Sequence, residues 1–132
     1  MSNALRQSSG VFLVVAACLV KAACNPFDPD LEYKVGGVDS VGVKSVVSPN
    51  EDLPVRLMGS RGACDQLRLT VTKNSSELAI TPMLSHPREG TCTLQLIFVD
   101  TTIIARAPHA NPLTIRLRRY NTTDLLRTVE VK

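Results

Sequence analysis

Four cysteines, two histidines and a C-terminal run of arginines are the side chains of this 132-residue sequence whose types could carry chemistry. Cys64 stands just before Leu67-Arg68-Leu69-Thr70-Val71, and Cys92 before Leu94-Gln95-Leu96-Ile97-Phe98. Two cysteines in strand context are expected to form a disulfide in an oxidising compartment. His86 and His109 both sit in proline-containing loops, whereas a zinc site needs three or four convergent ligands at recognisable spacing. No metal or cofactor is therefore expected. A Ser-His-Asp set can be written from Ser85, His86 and Asp100, but no glycine-flanked serine elbow supports it. Asp28, Asp30 and Glu32 alternate without the glycine-containing loop of a calcium site. Gly36-Gly37 and Gly59-Ser60-Arg61-Gly62 precede no helix, so they predict turns and not phosphate cradles. The reading is of a protein that is not an enzyme.

Arg116, Arg118 and Arg119 are the core of the most basic region, which holds six basic and three acidic residues from Asp100 onward. Arg116 and Arg118 alternate with Ile115 and Leu117, so they project from one solvent face of a strand. They are the candidate contact for an anionic surface. A solvated face that also guards a sheet edge is the preferred explanation for so small a charge excess.

The N-terminal residues carry an address. Arg6 precedes the uncharged apolar run Val11-Phe12-Leu13-Val14-Val15-Ala16-Ala17, followed by Cys18-Leu19-Val20-Lys21-Ala22-Ala23-Cys24. A positive start, a short apolar middle and small residues at the end are the parts of an export signal. The run is ten residues over 11–20, against the roughly 20 that span a bilayer. Val15-Ala16-Ala17-Cys18 resembles the lipobox of bacterial lipoproteins. The resemblance implies cleavage before Cys18 and a lipid on that cysteine, and Leu19 after it implies passage to the outer membrane. Cys24 is the alternative attachment point. Lys21 puts a charge where the motif wants an aliphatic side chain, and burying it at the membrane carries a desolvation cost. The expected organisation is an export segment over 1–23, a tether over 24–32 and one folded domain over 33–132.

Composition agrees with a single small domain. The chain is 44% hydrophobic and 20% charged, with a formal net charge of +3. That charge is too small to demand a nucleic acid, and aromatic content of 4% with no Trp leaves few rings for stacking on bases.

The elements expected to carry these residues are strands. Val41, Val43, Ser45 and Val47 alternate with Gly42, Lys44 and Val46, and Leu53, Val55 and Leu57 with Pro54, Arg56 and Met58. Leu67 to Thr72, Leu78 to Ile80, Leu113 to Arg118 and Leu125 to Val131 continue the pattern at roughly ten-residue spacing. Residues 92–99 predict the longest strand, central because Leu96, Ile97, Phe98 and Val99 leave both faces apolar. A proline-bearing loop is expected before it, and a break at Asp100-Thr101-Thr102 after it.

The fold class expected is all-β: one antiparallel β-sandwich of seven or eight strands. It resembles the immunoglobulin-like and fibronectin-III-like sandwiches in strand count and size only, since there is no Trp and Gly90 stands where a tyrosine corner would. A small β-barrel is the runner-up. The functional expectation is a non-catalytic module anchored to the bacterial envelope by its lipid, which binds an envelope protein or assembles with itself. The alternative is a small extracytoplasmic carrier or enzyme inhibitor.

Overall fold

The computed structural model describes residues 28–132, all-β and without a helix. The segment expected to be exported and lipidated, with Cys18 and Cys24, lies outside the described residues. Nine strands follow: β1 (Leu31–Val35), β2 (Ser40–Gly42), β3 (Val46–Val47), β4 (Leu53–Gly62), β5 (Gln66–Lys73), β6 (Glu77–Pro87), β7 (Leu96–Ala105), β8 (Leu113–Leu117) and β9 (Leu125–Val131). β1 opens at Leu31, two residues inside the stretch expected to be tether.

One sheet is three-stranded and antiparallel, in the order β2-β4-β7. The other is six-stranded. In it β6 takes β5 along one side, while its other side is shared by β8 near Glu77–Ile80 and β1 near Met83–Pro87. From β8 the sheet continues through β9 to β3. β6 with β8 and β3 with β9 run parallel, so the larger sheet is mixed and the expectation of an antiparallel architecture throughout is corrected. The barrel alternative has no support among the described residues, since no pairing joins the two sheets.

The apolar faces meet in one core. Val41, Leu53, Val55, Leu57, Val99 and Ala105 come from the smaller sheet; Leu78, Ile80, Leu113, Ile115, Leu117, Val129, Val131 and Val47 come from the larger. Alternation of buried and exposed residues along β4, β6 and β8 follows from the period of two in a pleated strand.

Several local expectations give way to tertiary pairing. The alternation over 41–47 divides into β2 and β3, which belong to different sheets. Gly59-Ser60-Arg61-Gly62 is not a turn; it continues β4, in one-to-one register with Val99, Phe98, Ile97 and Leu96. The first part of the expected proline loop, through Pro87, is also a strand, while residues 88–95 remain a loop. The carbonyls of Ile80 and Pro82 accept from the N–H groups of Arg118 and Gly36, so that side of β6 faces β8 and then the approach to β1. Pro82 therefore turns its missing donor toward the junction where β6 changes partner, a place where no ladder bond is lost. Pro82 is fully buried there. Two other turns are built locally. The Asn74 side-chain carbonyl accepts from the backbone of Ser76 and Glu77 at 2.9 Å each, and Asn121 adopts a positive φ of 55°.

Candidate functional site

The strand expected to be central lies at an edge. β7 pairs with β4 alone, and its opposite side has no neighbour among the described residues. It spans ten residues as one strand through Asp100-Thr101-Thr102, in ten consecutive one-to-one pairs without a bulge. Its outward face carries Leu96 at 73% exposure and Phe98 at 76%, continuing a row begun by Leu94 at 100% just before the strand. The two-sided apolar pattern therefore marks one face in the core and one in solvent. Exposed apolar residues in a row, unlike isolated ones, mark an interaction surface.

The open side can be read residue by residue. The Ala63 N–H donates to the Gln95 carbonyl at 3.0 Å, extending the β4–β7 ladder by one step. In an antiparallel ladder, hydrogen-bonded and non-hydrogen-bonded pairs alternate. Ile97, Val99, Thr101 and Ile103 thus exchange bonds with β4. Leu96, Phe98, Asp100, Thr102 and Ile104 point both backbone groups away from it. The apolar side chains and the unpaired donors and acceptors belong to the same residues.

Natural sheets guard such edges with charge, proline, bulges or brevity. The other edges here conform: β2 and β3 have three and two residues, β1 carries Glu32 and Lys34, and β5 carries Arg68 and Lys73. β7 carries only Asp100, and that charge is committed. Arg56 on β4 donates to it twice, Nε to Oδ1 at 2.8 Å and a terminal nitrogen to Oδ2 at 2.5 Å. The bond to Arg56 holds the Asp100 carboxyl below the ordinary carboxylate range and raises Arg56 in return. β7 is the one long unguarded edge among the described residues.

The disulfide sits at the start of this edge. Cys64 and Cys92 are bonded, with Cα atoms 5.9 Å apart, as the sequence predicts. The bridge pins the 88–95 loop to the turn between β4 and β5. Arg88 N–H adds a bond to the Asp30 carbonyl at 3.0 Å, which ties the same loop to the entry of β1. A structural disulfide of this kind fits an oxidising, extracytoplasmic setting.

The other sequence candidates are dispersed. Arg116 is held between Glu77 (2.9 Å) and Asp124 (3.3 Å), and the Glu77 bond, then the Asp124 bond, raises its pKa. Arg119 donates to the Thr123 carbonyl at 3.0 Å. β8 lies between β6 and β9, so Arg116 guards no sheet edge. Arg118 extends the strand beyond Leu117, its N–H on the Ile80 carbonyl at 3.0 Å. Ser85, His86 and Asp100 do not assemble: Asp100 belongs to the other sheet, and the His86 Nδ1 lies 2.5 Å from Asp65 Oδ1. His109, in its proline-containing loop, is buried, with Nε2 against the Glu51 carbonyl at 2.8 Å.

Two further carboxylates set an acid limit. Asp52 accepts from the Ala107 N–H (2.9 Å) and from Arg106 (2.8 Å), which hold it below the usual range in that order. Burial opposes ionisation of Asp65, but His86 and the Gly62 N–H outweigh it and the net shift is downward. A carboxyl depressed in the folded state contributes stability above its unfolded pKa of about 3.9 and loses it as pH falls. The urea midpoint is therefore expected to hold from pH 7 to about 5 and to decline below that. Asp52→Asn should flatten the decline; an unchanged acid slope in that variant would refute the assignment.

Comparison of the chain with family models, with curated proteins and with solved structures finds no match to any of them.

Proposed function

We propose that the protein is a non-catalytic, immunoglobulin-like module held at the bacterial envelope by a lipid on Cys18, with Cys24 as the alternative, and that it works by adding a partner strand to β7. The observation that carries this reading is the unguarded β7 edge, where exposed Leu96 and Phe98 accompany unpaired backbone groups. Strand addition uses both features: main-chain bonds supply affinity, and alternate side chains supply selectivity. The Cys64–Cys92 bridge supports the extracytoplasmic placement and keeps the start of the edge in position before a partner arrives. The core supports a binding surface over an internal ligand site, because the inward side chains of β4 and β8 are fully buried against one another.

Amide exchange tests the proposal. In the purified full chain, diluted until it is monomeric, the amides of Ile97, Val99, Thr101 and Ile103 should exchange slowly, and those of Phe98, Asp100, Thr102 and Ile104 quickly. In native membranes the Phe98 amide is expected to slow by at least tenfold, since it would gain an acceptor, and the rest of the second set to slow as far along β7 as the added strand reaches. Fast exchange of the second set in membranes would sink strand addition. An intact mass of the membrane-extracted protein that lacks a lipid increment would independently sink the anchor.

A further inference from the structure

We infer that the strand added to β7 is the β7 of a second copy, antiparallel to the first about a two-fold axis at Ile97. This rests on the strand-addition reading and names its partner. An antiparallel strand can always meet its own copy through a two-fold, and the usual obstacle is like charges brought face to face. β7 presents no such obstacle: its one ionisable side chain, Asp100, is neutralised within its own molecule by Arg56. The other long open edge, on β5, would bring two cations, Arg68 and Lys73, into any pairing with its own copy.

The register follows from which residues face outward. An axis at Ile97 places Leu96 opposite Phe98 of the second copy, and Phe98 opposite its Leu96. Both pairs use residues whose N–H and C=O groups point to the open side, so they become hydrogen-bonded pairs between the most exposed apolar side chains on the strand. Leu94 then lies across from Asp100, whose charge is already engaged. Moving the axis to Phe98 or to Asp100 parts Leu96 from Phe98: the first sets Leu96 against Asp100, and the second sets Phe98 against Thr102. The axis at Ile97 avoids both. The product joins the two three-stranded sheets through residues 96–98, the part of each β7 that this axis brings together, with Leu94 and Asp100 flanking the junction on either side.

Cross-linking the full chain in its native membrane tests the inference. Ile97 would face its own copy as a non-hydrogen-bonded pair, with Cα atoms about 4.5 Å apart, within disulfide range. Ile97→Cys under copper–phenanthroline oxidation is expected to give a species of doubled mass above the wild-type background. Thr101→Cys should give none, because its two copies would lie about 27 Å apart. Adding Phe98→Lys to Ile97→Cys should cut the doubled species at least tenfold. Native mass spectrometry of the chain without introduced cysteines gives a second readout: a dimer that Phe98→Lys, an exposed substitution, converts to monomer. A wild-type monomer, or equal cross-linking through Thr101→Cys, overturns the inference. A cross-linked species combining this chain with a different protein also overturns it, while leaving strand addition standing. Fast exchange of the Phe98, Asp100, Thr102 and Ile104 amides in membranes would instead mark the failure of strand addition itself.

Discussion

Gly59→Ala is expected to lower stability by about 3 kcal/mol or more, at the upper end of the cost of overpacking a core. A methyl group at Gly59 would collide with the carbonyl oxygen of Gly37 and stand 2.8 Å from both the Gly37 carbonyl carbon and the Val38 Cα. All are backbone atoms, so no side chain can swing aside. Gly59 lies in the middle of β4, paired with Val99, and the segment from β1 to β2 crosses directly over it. Gly37 cannot yield easily, because it already uses a positive φ of 93° and an added Cβ there would meet Leu84 and Leu67. Val38 is itself a core residue. Gly42→Ala is the control: its Cβ would find ordinary contacts of 3.7 Å to Arg56 and 3.8 Å to Met58. That variant should remain within about 0.5 kcal/mol of wild type, since it fits without strain and restricts the unfolded chain. Urea unfolding of the three proteins decides the matter. Equal midpoints for Gly59→Ala and wild type would mean that the crossing segment can lift away from β4.

The double variant Cys64→Ser, Cys92→Ser is expected to lose about 3–4 kcal/mol relative to the oxidised protein, in the chain-entropy account. The cysteines are 28 residues apart, and their bridge closes a loop containing β5 and β6. Without it the unfolded chain gains freedom. The folded chain retains the Ala63–Gln95 and Arg88–Asp30 backbone bonds as the holds on the 88–95 loop described here. Wild type unfolded in the presence of a reductant should match the variant. Exchange of the Ile97 amide should also speed up, because the start of β7 frays when its pin is removed. A loss below about 1 kcal/mol would show that the native loop bonds and residual order in the unfolded state already supply the constraint.

Much of the fold was legible because strand periodicity is local. Leu53, Val55 and Leu57 on β4, and Leu113, Ile115 and Leu117 on β8, alternate in sequence and are fully buried in the structure. The all-β class follows from this pattern; the Cys64–Cys92 bridge forms as expected, although it joins the turn after β4 to the 88–95 loop and not two strands. The turns at Asn74 and Asn121 were equally local, since each uses its own side chain or its own φ.

Other features had no local signal. A glycine or proline reads as a turn until a second strand accounts for it: Gly59 needs the backbone that crosses it, and Pro82 needs the gap between β8 and β1. Parallel pairing of β6 with β8 is likewise invisible in periodicity, because either direction buries the same alternate residues. Arg116 looked like a free cation, yet Glu77 is 39 positions away in sequence and meets it only across the sheet.

The β7 edge divides the two kinds of information most clearly. The residue types along 96–99 determined by themselves that an apolar strand forms there, with an apolar side chain on each face. Whether its second face meets a neighbouring layer or solvent, and whether its backbone has one partner or two, depends on sheet order. Sheet order is set by long-range pairing that maximises burial in the shared core. That pairing left Leu96 and Phe98 outside.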